Sequence, residues 1–422
     1  MAEVQNGERS ILVVGGGMSG LSAALEAAEA GFQVFIVDKE AYLGGRVARM
    51  NKYFPKLCPP NCGLEINFRR IKNNPLIRFF TMTEVEKITG EAGNFDVTLK
   101  VAPRYVNEKC TGCGLCAEAA TTEIANPFNY GLDSVKAAYL PHDFAFPMRY
   151  VIAPGVIGSE EANQIKAACP YGAVDLDMQP TSFDLKVGAI VWATGWEPYD
   201  AAKIAYYGFG KNKNVITNVM MERLAAQNGP TAGKIVRPSD GAPVNKIAFV
   251  QCAGSRDENH LPYCSGICCL ASLKQATYLL EENPAANATI FYIDIRALGK
   301  YEDFYTKVQA DERVTLIKGK AGEITENPQT GMVSVQVEDQ TTGKVHKDEF
   351  DLVVLATGMV PGSASCKVPA DVAYDEHGFL LGNQPVAGII GAGCVKRPVD
   401  VATSVQDATA AALKAIQATF RR

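Results

Sequence analysis

Twelve cysteines are the residues of this 422-residue chain best suited to metal or redox chemistry. Ten of them lie within the first 269 residues, mostly in tight groups. Their positions are 58, 62, 110, 113, 116, 169, 252, 264, 268, 269, 366 and 394. The start, MAEVQNGERS, is polar and has no apolar export segment, so we expect no secretion. Closely spaced cysteines in such a chain indicate metal or redox chemistry rather than disulfides.

The first group has the spacing Cys110-x2-Cys113-x2-Cys116, and Cys169 stands later in the chain before Pro170. Three thiolates at this spacing can bind one face of a cubane cluster, and a cysteine before proline completes such sites in ferredoxins. The residues that would bind a second ferredoxin cluster are absent together, since Ala120 stands at one of those positions. The four cysteines therefore predict one [4Fe–4S] cluster, with structural zinc as the alternative.

The second group combines Cys252 in CAGSRD with Cys264, Cys268 and Cys269 in YCSGICC. Cys252 occupies the place of the first phosphate-turn glycine in a second β-α-β unit, which argues against nicotinamide binding there. The four thiols could bind a second cluster with irregular spacing, form a reactive dithiol, or be buried structural cysteines. The roles of Cys58 and Cys62 are equally open, between a cluster, the neighbourhood of a cofactor and structure.

A glycine-rich turn, Gly15-Gly16-Gly17-Met18-Ser19-Gly20, joins a predicted strand to a predicted helix. The glycines allow the backbone to approach a pyrophosphate, whose charge the helix N-terminus stabilises. Asp38 ends the next strand, where an acidic side chain accepts a ribose hydroxyl.

Later segments favour a flavin over nicotinamide, because they resemble those of flavoproteins with two dinucleotide-binding domains. These are LGGR after the second strand, TEV at 83–85 for adenine, ATG at 193–195 and GAGC at 391–394. Cys394 stands where such proteins usually have an aspartate for the ribityl chain. The predicted cofactor-binding residues are Gly15, Gly17, Ser19, Gly20, Asp38, Lys39, Gly45, Arg46, Val85, Ala193, Thr194, Gly195, Gly393, Cys394 and Val401.

Two β-α-β patterns, each followed by a buried strand ending in Ala-Thr-Gly, position these residues. The predicted fold is α/β, with a Rossmann-like FAD domain, a degenerate NAD-like domain and an inserted ferredoxin-like segment. We assign 1–102, 181–240 and 351–422 to the FAD domain, 103–180 to the insertion and 241–350 to the NAD-like domain. A final helix is expected over about 400–419.

Composition limits the function classes. Hydrophobic residues make up 47% and charged residues 21%, which is typical of a folded protein. The net charge of −5 argues against nucleic acid as the main partner. No segment reaches the ~18 apolar residues needed to span a bilayer. No acid–base or nucleophile set is visible, so no catalytic residue is predicted.

These motifs together resemble the A-type flavoproteins of the heterodisulfide reductase family, over nearly the whole chain. The most specific segments are GGGMSG, LGGR, CTGCGLC, YLPHDFAFP, CAGSRD with YCSGICC, YIDIRALGK and GAGCVKRPVDV. The resemblance implies that Cys252, Cys264, Cys268 and Cys269 bind a non-standard [4Fe–4S] cluster, giving two clusters and one FAD.

Within the family, the chain is similar to the flavoprotein of quinone-interacting membrane-bound oxidoreductases of sulfate reducers. That similarity implies electron transfer between menaquinol and adenylylsulfate reductase, at the inner face of the cell membrane. The implied partners are a second A-like flavoprotein and a membrane-bound quinone-reactive subunit. The alternatives are a soluble heterodisulfide-reductase-like enzyme, a disulfide reductase that uses a pyridine nucleotide, and a cluster-bearing scaffold with an empty dinucleotide site.

Overall fold

The structure, a computed structural model, describes residues 9–420. The first eight residues of the polar start, on which the expectation about secretion rests, lie outside them. The described chain divides into two compact units, and it passes between them at 196–197 and at 360–361. Unit 1 contains the residues up to Trp196 and those from Pro361 onward, whereas unit 2 contains Glu197–Val360.

The α-helices of residues 9–420 are α1 (Met18–Glu29), α2 (Pro60–Asn73), α3 (Leu115–Ala119), α4 (Glu160–Ala167), α5 (Asn218–Ala225), α6 (Cys268–Glu282), α7 (Tyr301–Gln309), α8 (Gly362–Ser365) and α9 (Val401–Thr419). Short 3₁₀ helices lie at Gly45–Arg49, Pro154–Val156, Ala201–Lys203, Ala205–Tyr207 and Gly393–Val395.

The strands of unit 1 before the first crossing are β1 (Ser10–Val14), β2 (Gln33–Asp38), β3 (Ile77–Thr81), β4 (Thr83–Glu91), β5 (Asn94–Val101), β6 (Glu123–Ala125), β7 (Ser134–Lys136), β8 (Ala138–Tyr139), β9 (Val151–Ile152), β10 (Thr181–Val187) and β11 (Ala189–Trp192). The remaining strands are β12 (Trp196–Pro198), β13 (Val215–Thr217), β14 (Lys246–Ala253), β15 (Asn287–Tyr292), β16 (Val314–Lys318), β17 (Ala321–Glu326), β18 (Val333–Asp339), β19 (Lys344–Phe350), β20 (Leu352–Thr357), β21 (Met359–Pro361) and β22 (Ile389–Gly391).

Unit 1 is built on a parallel five-stranded sheet in the order β22-β11-β1-β2-β3. All five residues of β1 are buried, as expected for a parallel strand that is covered on both faces. An antiparallel sheet, β10-β5-β4, is the second sheet of this unit, and the burial of β5 largely alternates along the strand. Because parallel strands end on the same edge, the turn after β1, the end of β2 and the end of β11 lie together.

The segment 103–180 forms a small subdomain of unit 1, with α3, α4 and two short antiparallel pairs, β6-β7 and β8-β9. It has a core of its own, to which Val106, Ile152 and Ile165 belong. The ferredoxin-like character of this insertion remains a prediction.

Unit 2 repeats the architecture, with a parallel sheet in the order β13-β20-β14-β15-β16 and an antiparallel sheet β17-β18-β19. The predicted second β-α-β unit is β14-α6-β15. Two predicted boundaries differ from this division, because 197–240 and 351–360 lie in unit 2 rather than in the FAD domain. The reason is strand pairing: β13 pairs with β20, and β20 pairs with β14.

Candidate functional site

In the glycine turn after β1, backbone contacts exclude a side chain at Gly15 and Gly20 but not at Gly17. A Cβ on Gly15, where φ is +103°, would lie 2.4 Å from the carbonyl oxygen of Ala193, and one on Gly20 would lie 1.7 Å from that of Gly15. A Cβ on Gly17 would meet nothing closer than Gly45 Cα, at 3.8 Å. Gly17 is also the N-cap of α1 and has no side-chain cap. The turn therefore leaves open space in front of a helix N-terminus, which fits a pyrophosphate.

Asp38 lies at the end of β2, beside this turn. Its carboxylate accepts hydrogen bonds from the backbone N–H of Gly16, at 2.6 Å, and from that of Glu40, at 2.8 Å. Burial raises the pKa of Asp38 to about 6. The neighbouring Lys39 is exposed.

Gly45 and Arg46 follow β2 in the 3₁₀ helix. A Cβ on Gly45, where φ is +56°, would lie 2.8 Å from Gly17 Cα, so this loop packs against the glycine turn. The Arg46 guanidinium donates to the carbonyl oxygen of Trp196 and to the hydroxyl of Tyr130, and it lies 5.1 Å from the centre of the Trp196 ring.

The end of β11 supplies Ala193, Thr194 and Gly195. The hydroxyl of Thr194 is buried and has no hydrogen-bond partner among the described residues. A buried polar atom without a partner is costly, so this hydroxyl fits a contact with a bound group. Val85, predicted to meet adenine, is half-buried in β4 next to a shift in register against β5.

The C-terminal part of unit 1 places Gly393 beside Ser19, because a Cβ on Gly393 would lie 2.1 Å from Ser19 Oγ. Cys394 is buried, and its Sγ lies 3.4 Å from the carbonyl oxygen of Val399. Burial raises the pKa of this thiol above its ordinary value. Val401 is the first residue of α9.

Sequence reasoning missed Asp407. Its carboxylate accepts a 2.7 Å hydrogen bond from the backbone N–H of Gly393 and forms a 2.7 Å ion pair with Lys396. A carboxylate at the seventh residue of an apolar helix was the only signal in the sequence.

One pocket in unit 1 is lined by Cys110, Cys113, Cys116 and Cys169, together with Tyr150 and Tyr171. Cys116 lies in α3, and burial raises the pKa of its thiol to about 11. Burial by itself would raise the pKa of Cys169. Hydrogen bonds from backbone N–H groups of the turn have the larger effect, so the pKa of this thiol is lowered. One of these donors is Ala173 N, 3.3 Å from Cys169 Sγ. Four thiols around one pocket, one of them with N–H donors, fit an iron–sulfur cluster.

The second set lies in unit 2 at the end of β14 and the start of α6. Cys252 has a left-handed backbone, with φ +55°, and Cys268 and Cys269 are the first two residues of α6. Burial, followed by the charges of neighbouring thiols that include Cys264, raises the pKa of Cys252 to about 11 and that of Cys268 further. All four thiols are therefore close enough to influence one another, which fits a shared cluster.

Two charged residues beside Cys252 form ion pairs with partners elsewhere in unit 2. Arg256 pairs with Asp294, and Asp257 pairs with Lys320 at 2.5 Å. Between residues 9 and 420, no group of three or more His, Cys, Asp and Glu side chains is arranged to hold a single metal ion. No helix in that range combines the length and apolar character needed to cross a membrane.

The paired α/β units and the open glycine turn define a two-domain fold of the Rossmann-like, dinucleotide-binding class. A family model described as an NAD(P)-binding Rossmann-like domain matches residues 13–80. Thioredoxin reductase from T. acidophilum has the same fold, with a TM-score of 0.53 and 16% identity over 98% of this chain and 100% of that one. The Lactococcus lactis thioredoxin reductase also scores 0.53, with 13% identity over 97% of this chain and 99% of that one.

Curated relatives show a more specific similarity than the fold does. One of them, an iron-sulfur A-type component of the CoB–CoM heterodisulfide reductase of Methanopyrus kandleri, is 39% identical over 96% of this chain and 64% of the relative. The A-type component of the ferredoxin/F(420)H(2)-dependent CoB-CoM heterodisulfide reductase of Methanosarcina acetivorans is 38% identical over 97% of this chain and 53% of the relative. The chain is therefore similar, over nearly its whole length, to A-type components of heterodisulfide reductases, and it spans less than two thirds of the length of these relatives.

Proposed function

We propose that this chain is an electron-transfer subunit that binds one FAD and two [4Fe–4S] clusters. The observation that carries the proposal is the open space at Gly17, in the same unit as a pocket lined by four cysteines. FAD, when bound, accepts electron pairs and releases single electrons, whereas clusters transfer single electrons. A chain that holds both can connect a two-electron donor with a one-electron carrier.

The chain's own residues would bind and orient the cofactor. The N-terminus of α1 and the space at Gly17 would receive the pyrophosphate, and Asp38 would accept a ribose hydroxyl. The unpaired Thr194 hydroxyl and the backbone near Gly393 would lie along the flavin end. Cys110, Cys113, Cys116 and Cys169 would bind one cluster, and Cys252, Cys264, Cys268 and Cys269 the other.

A finer proposal concerns the complex. The similarity to quinone-interacting oxidoreductases supports electron transfer between menaquinol and adenylylsulfate reductase in sulfate respiration. The chain would then act in the cytoplasm at the inner face of the membrane, with a second A-like flavoprotein and a membrane-bound quinone-reactive subunit. The relatives, by contrast, are named for CoB–CoM heterodisulfide and ferredoxin.

The test is to purify the chain anaerobically and measure flavin, iron and the visible spectrum. One flavin with a broad iron–sulfur absorbance is expected, and a colourless protein would contradict the proposal. Mixing the reduced chain with purified adenylylsulfate reductase then tests the finer proposal. Electron transfer to that enzyme, and none to a heterodisulfide, is the expected result.

A further inference from the structure

Four thiols of unit 1 belong to neither proposed cluster site, and two of them, Cys58 and Cys62, are close together in the sequence. Cys58 is half-buried and Cys62 is exposed, and the two are separated by Pro59, Pro60 and Asn61. Both are free thiols in the structure.

The backbone brings these two cysteines to the same helix end. Leu57 has a left-handed φ of +54°, which turns the chain so that the carbonyl oxygen of Cys58 accepts a 3.1 Å hydrogen bond from the N–H of Tyr53. Pro59 is the N-cap of the 14-residue α2, and the N–H of Cys62 donates to its carbonyl oxygen at 3.2 Å. Cys58 thus precedes the cap and Cys62 is the third residue of the helix. Both thiols therefore belong to the N-terminal end of α2, four residues apart.

The hydroxyl of Tyr53 lies beside both thiols. A Cβ on Gly63 would lie 2.4 Å from this oxygen, so the phenol covers the backbone next to Cys62. Burial, then the charges of Cys62 and Cys58, raises the pKa of Tyr53. Both sulfur atoms therefore lie within electrostatic range of the same hydroxyl.

We propose that Cys58 and Cys62 form a redox-active dithiol that exchanges with small-molecule disulfides. The exposed Cys62 thiolate, after losing its proton to water, attacks one sulfur of the disulfide and releases the other as a thiolate. Cys58, losing its own proton, attacks the mixed disulfide, releases the second thiolate and closes the Cys58–Cys62 disulfide. The chain thereby loses two protons and two electrons, and the small disulfide becomes two thiols.

The test uses one tryptic peptide. Trypsin cleaves after Lys56 and after Arg69, so the peptide LCPPNCGLEINFR carries both cysteines and no others. The full chain, with its cofactors, is equilibrated with mixtures of reduced and oxidised glutathione, quenched in acid, alkylated and analysed by mass spectrometry. We expect one two-electron transition. The reduced form appears as a doubly alkylated peptide, and the oxidised form as an unalkylated peptide that is two hydrogens lighter than the unmodified dithiol.

Cys366 is the matched control, because it is an exposed cysteine alone on its own tryptic peptide. It should form only a glutathione adduct. In Cys62→Ser, the remaining Cys58 should likewise form only an adduct, while flavin and iron content stay at the wild-type level.

Two results would overturn the proposal. One is a peptide that is doubly alkylated at every glutathione ratio. The other is a loss of iron in Cys62→Ser, which would make the pair cluster ligands instead. If Cys62→Ser does not fold, the wild-type titration and Cys58→Ser decide the question.

Discussion

Gly17 differs from the other glycines of its turn, because the protein does not exclude a side chain there. A Cβ on Gly15 or Gly20 would collide with backbone, whereas one on Gly17 would have its nearest contact at 3.8 Å. The φ of Gly17 is −77°, which any residue can adopt. A bound pyrophosphate explains a glycine at this position, and packing in unit 1 does not.

Gly17→Leu should therefore fold normally and lose nearly all FAD, because its side chain would occupy the place of the pyrophosphate. The measurement is the flavin-to-protein ratio of the purified variant, together with its circular dichroism. Gly382→Leu is the matched control, since a Cβ at Gly382 would meet nothing within 4 Å. A Gly17→Leu protein with full flavin would place the cofactor elsewhere.

If Asp38 binds the ribose as proposed, flavin binding should depend on pH. Burial raises its pKa from 3.8 to about 6, so in the apoprotein the neutral form persists to a higher pH than in an exposed aspartate. The resulting contribution to folding stability is fully present below the unfolded pKa of 3.8 and is lost as the pH rises through about 6. A ribose hydroxyl donates a stronger hydrogen bond to the ionised carboxylate than to the neutral form. Flavin affinity should therefore rise as the pH rises, whereas the contribution to folding stability falls.

We expect the affinity for FAD to fall as the pH drops through about 6, by up to about tenfold per pH unit. Equilibrium titration of the apoprotein with FAD between pH 5 and pH 8 measures this, with ~0.2 pH steps near the transition. Asp38→Asn should bind FAD more weakly and show no such transition. An unchanged transition in that variant would assign the titration to another group.

Arg104 links the 103–180 subdomain to the rest of unit 1. Its buried guanidinium donates to the carbonyl oxygens of Ala41, at 2.7 Å, Arg149, at 3.0 Å, and Tyr150, at 3.0 Å. Burial and the charge of Arg149 lower the pKa of Arg104 to about 10. Loss of a buried donor to three carbonyl groups leaves each acceptor without that partner, at about 1–3 kcal/mol for each buried group.

Arg104→Met should loosen this subdomain while it leaves the parallel sheets intact. Hydrogen exchange followed by mass spectrometry should show faster exchange at 103–180 and unchanged exchange in β14 and β20. Arg237→Met is the control, because Arg237 pairs with the exposed Asp240 on the surface of unit 2. Equal exchange in the wild type and in Arg104→Met would show that other contacts hold the subdomain.

The elements that the sequence predicted well are those with strong local patterns. The helix expected at about 400–419 is α9 at 401–419. The predicted boundaries at 240 and 350 differ from the limits of unit 2, because the three-residue β13 has too little sequence to reveal that it pairs with β20. Asp407 was missed for a similar reason, since only the fold brings its carboxylate to Gly393.

At the scale of the whole molecule, the two β-α-β turns are not equivalent. In unit 2, Cys252 occupies the glycine position, and a Cβ on Gly254 would lie 2.5 Å from the ring of Tyr199. The turn of unit 2 therefore has a cysteine side chain where the turn of unit 1 has a glycine.

NADH and NADPH should therefore reduce the flavin slowly or not at all. Stopped-flow absorbance of the purified chain measures this, and dithionite is the control that shows the flavin to be reducible. Rapid bleaching by either nicotinamide cofactor, without partner subunits, would favour the pyridine-nucleotide-dependent disulfide reductase alternative instead.

The two proposed thiol sets lie in different units, so their iron can be assigned separately. Two four-iron clusters require about eight irons per chain, whereas a dithiol in unit 2 would leave about four. Cys268→Ser should remove roughly half of the iron and one paramagnetic signal, and it should leave the flavin and the cluster of Cys113 in place. Cys113→Ser should remove the other half, and Cys366→Ser should remove none.

Zinc in place of iron at the first set would appear as metal that is present but gives no paramagnetic signal on reduction. Unchanged iron and an unchanged reduced-state spectrum in Cys268→Ser would eliminate the second cluster, and with it the route for electrons through unit 2.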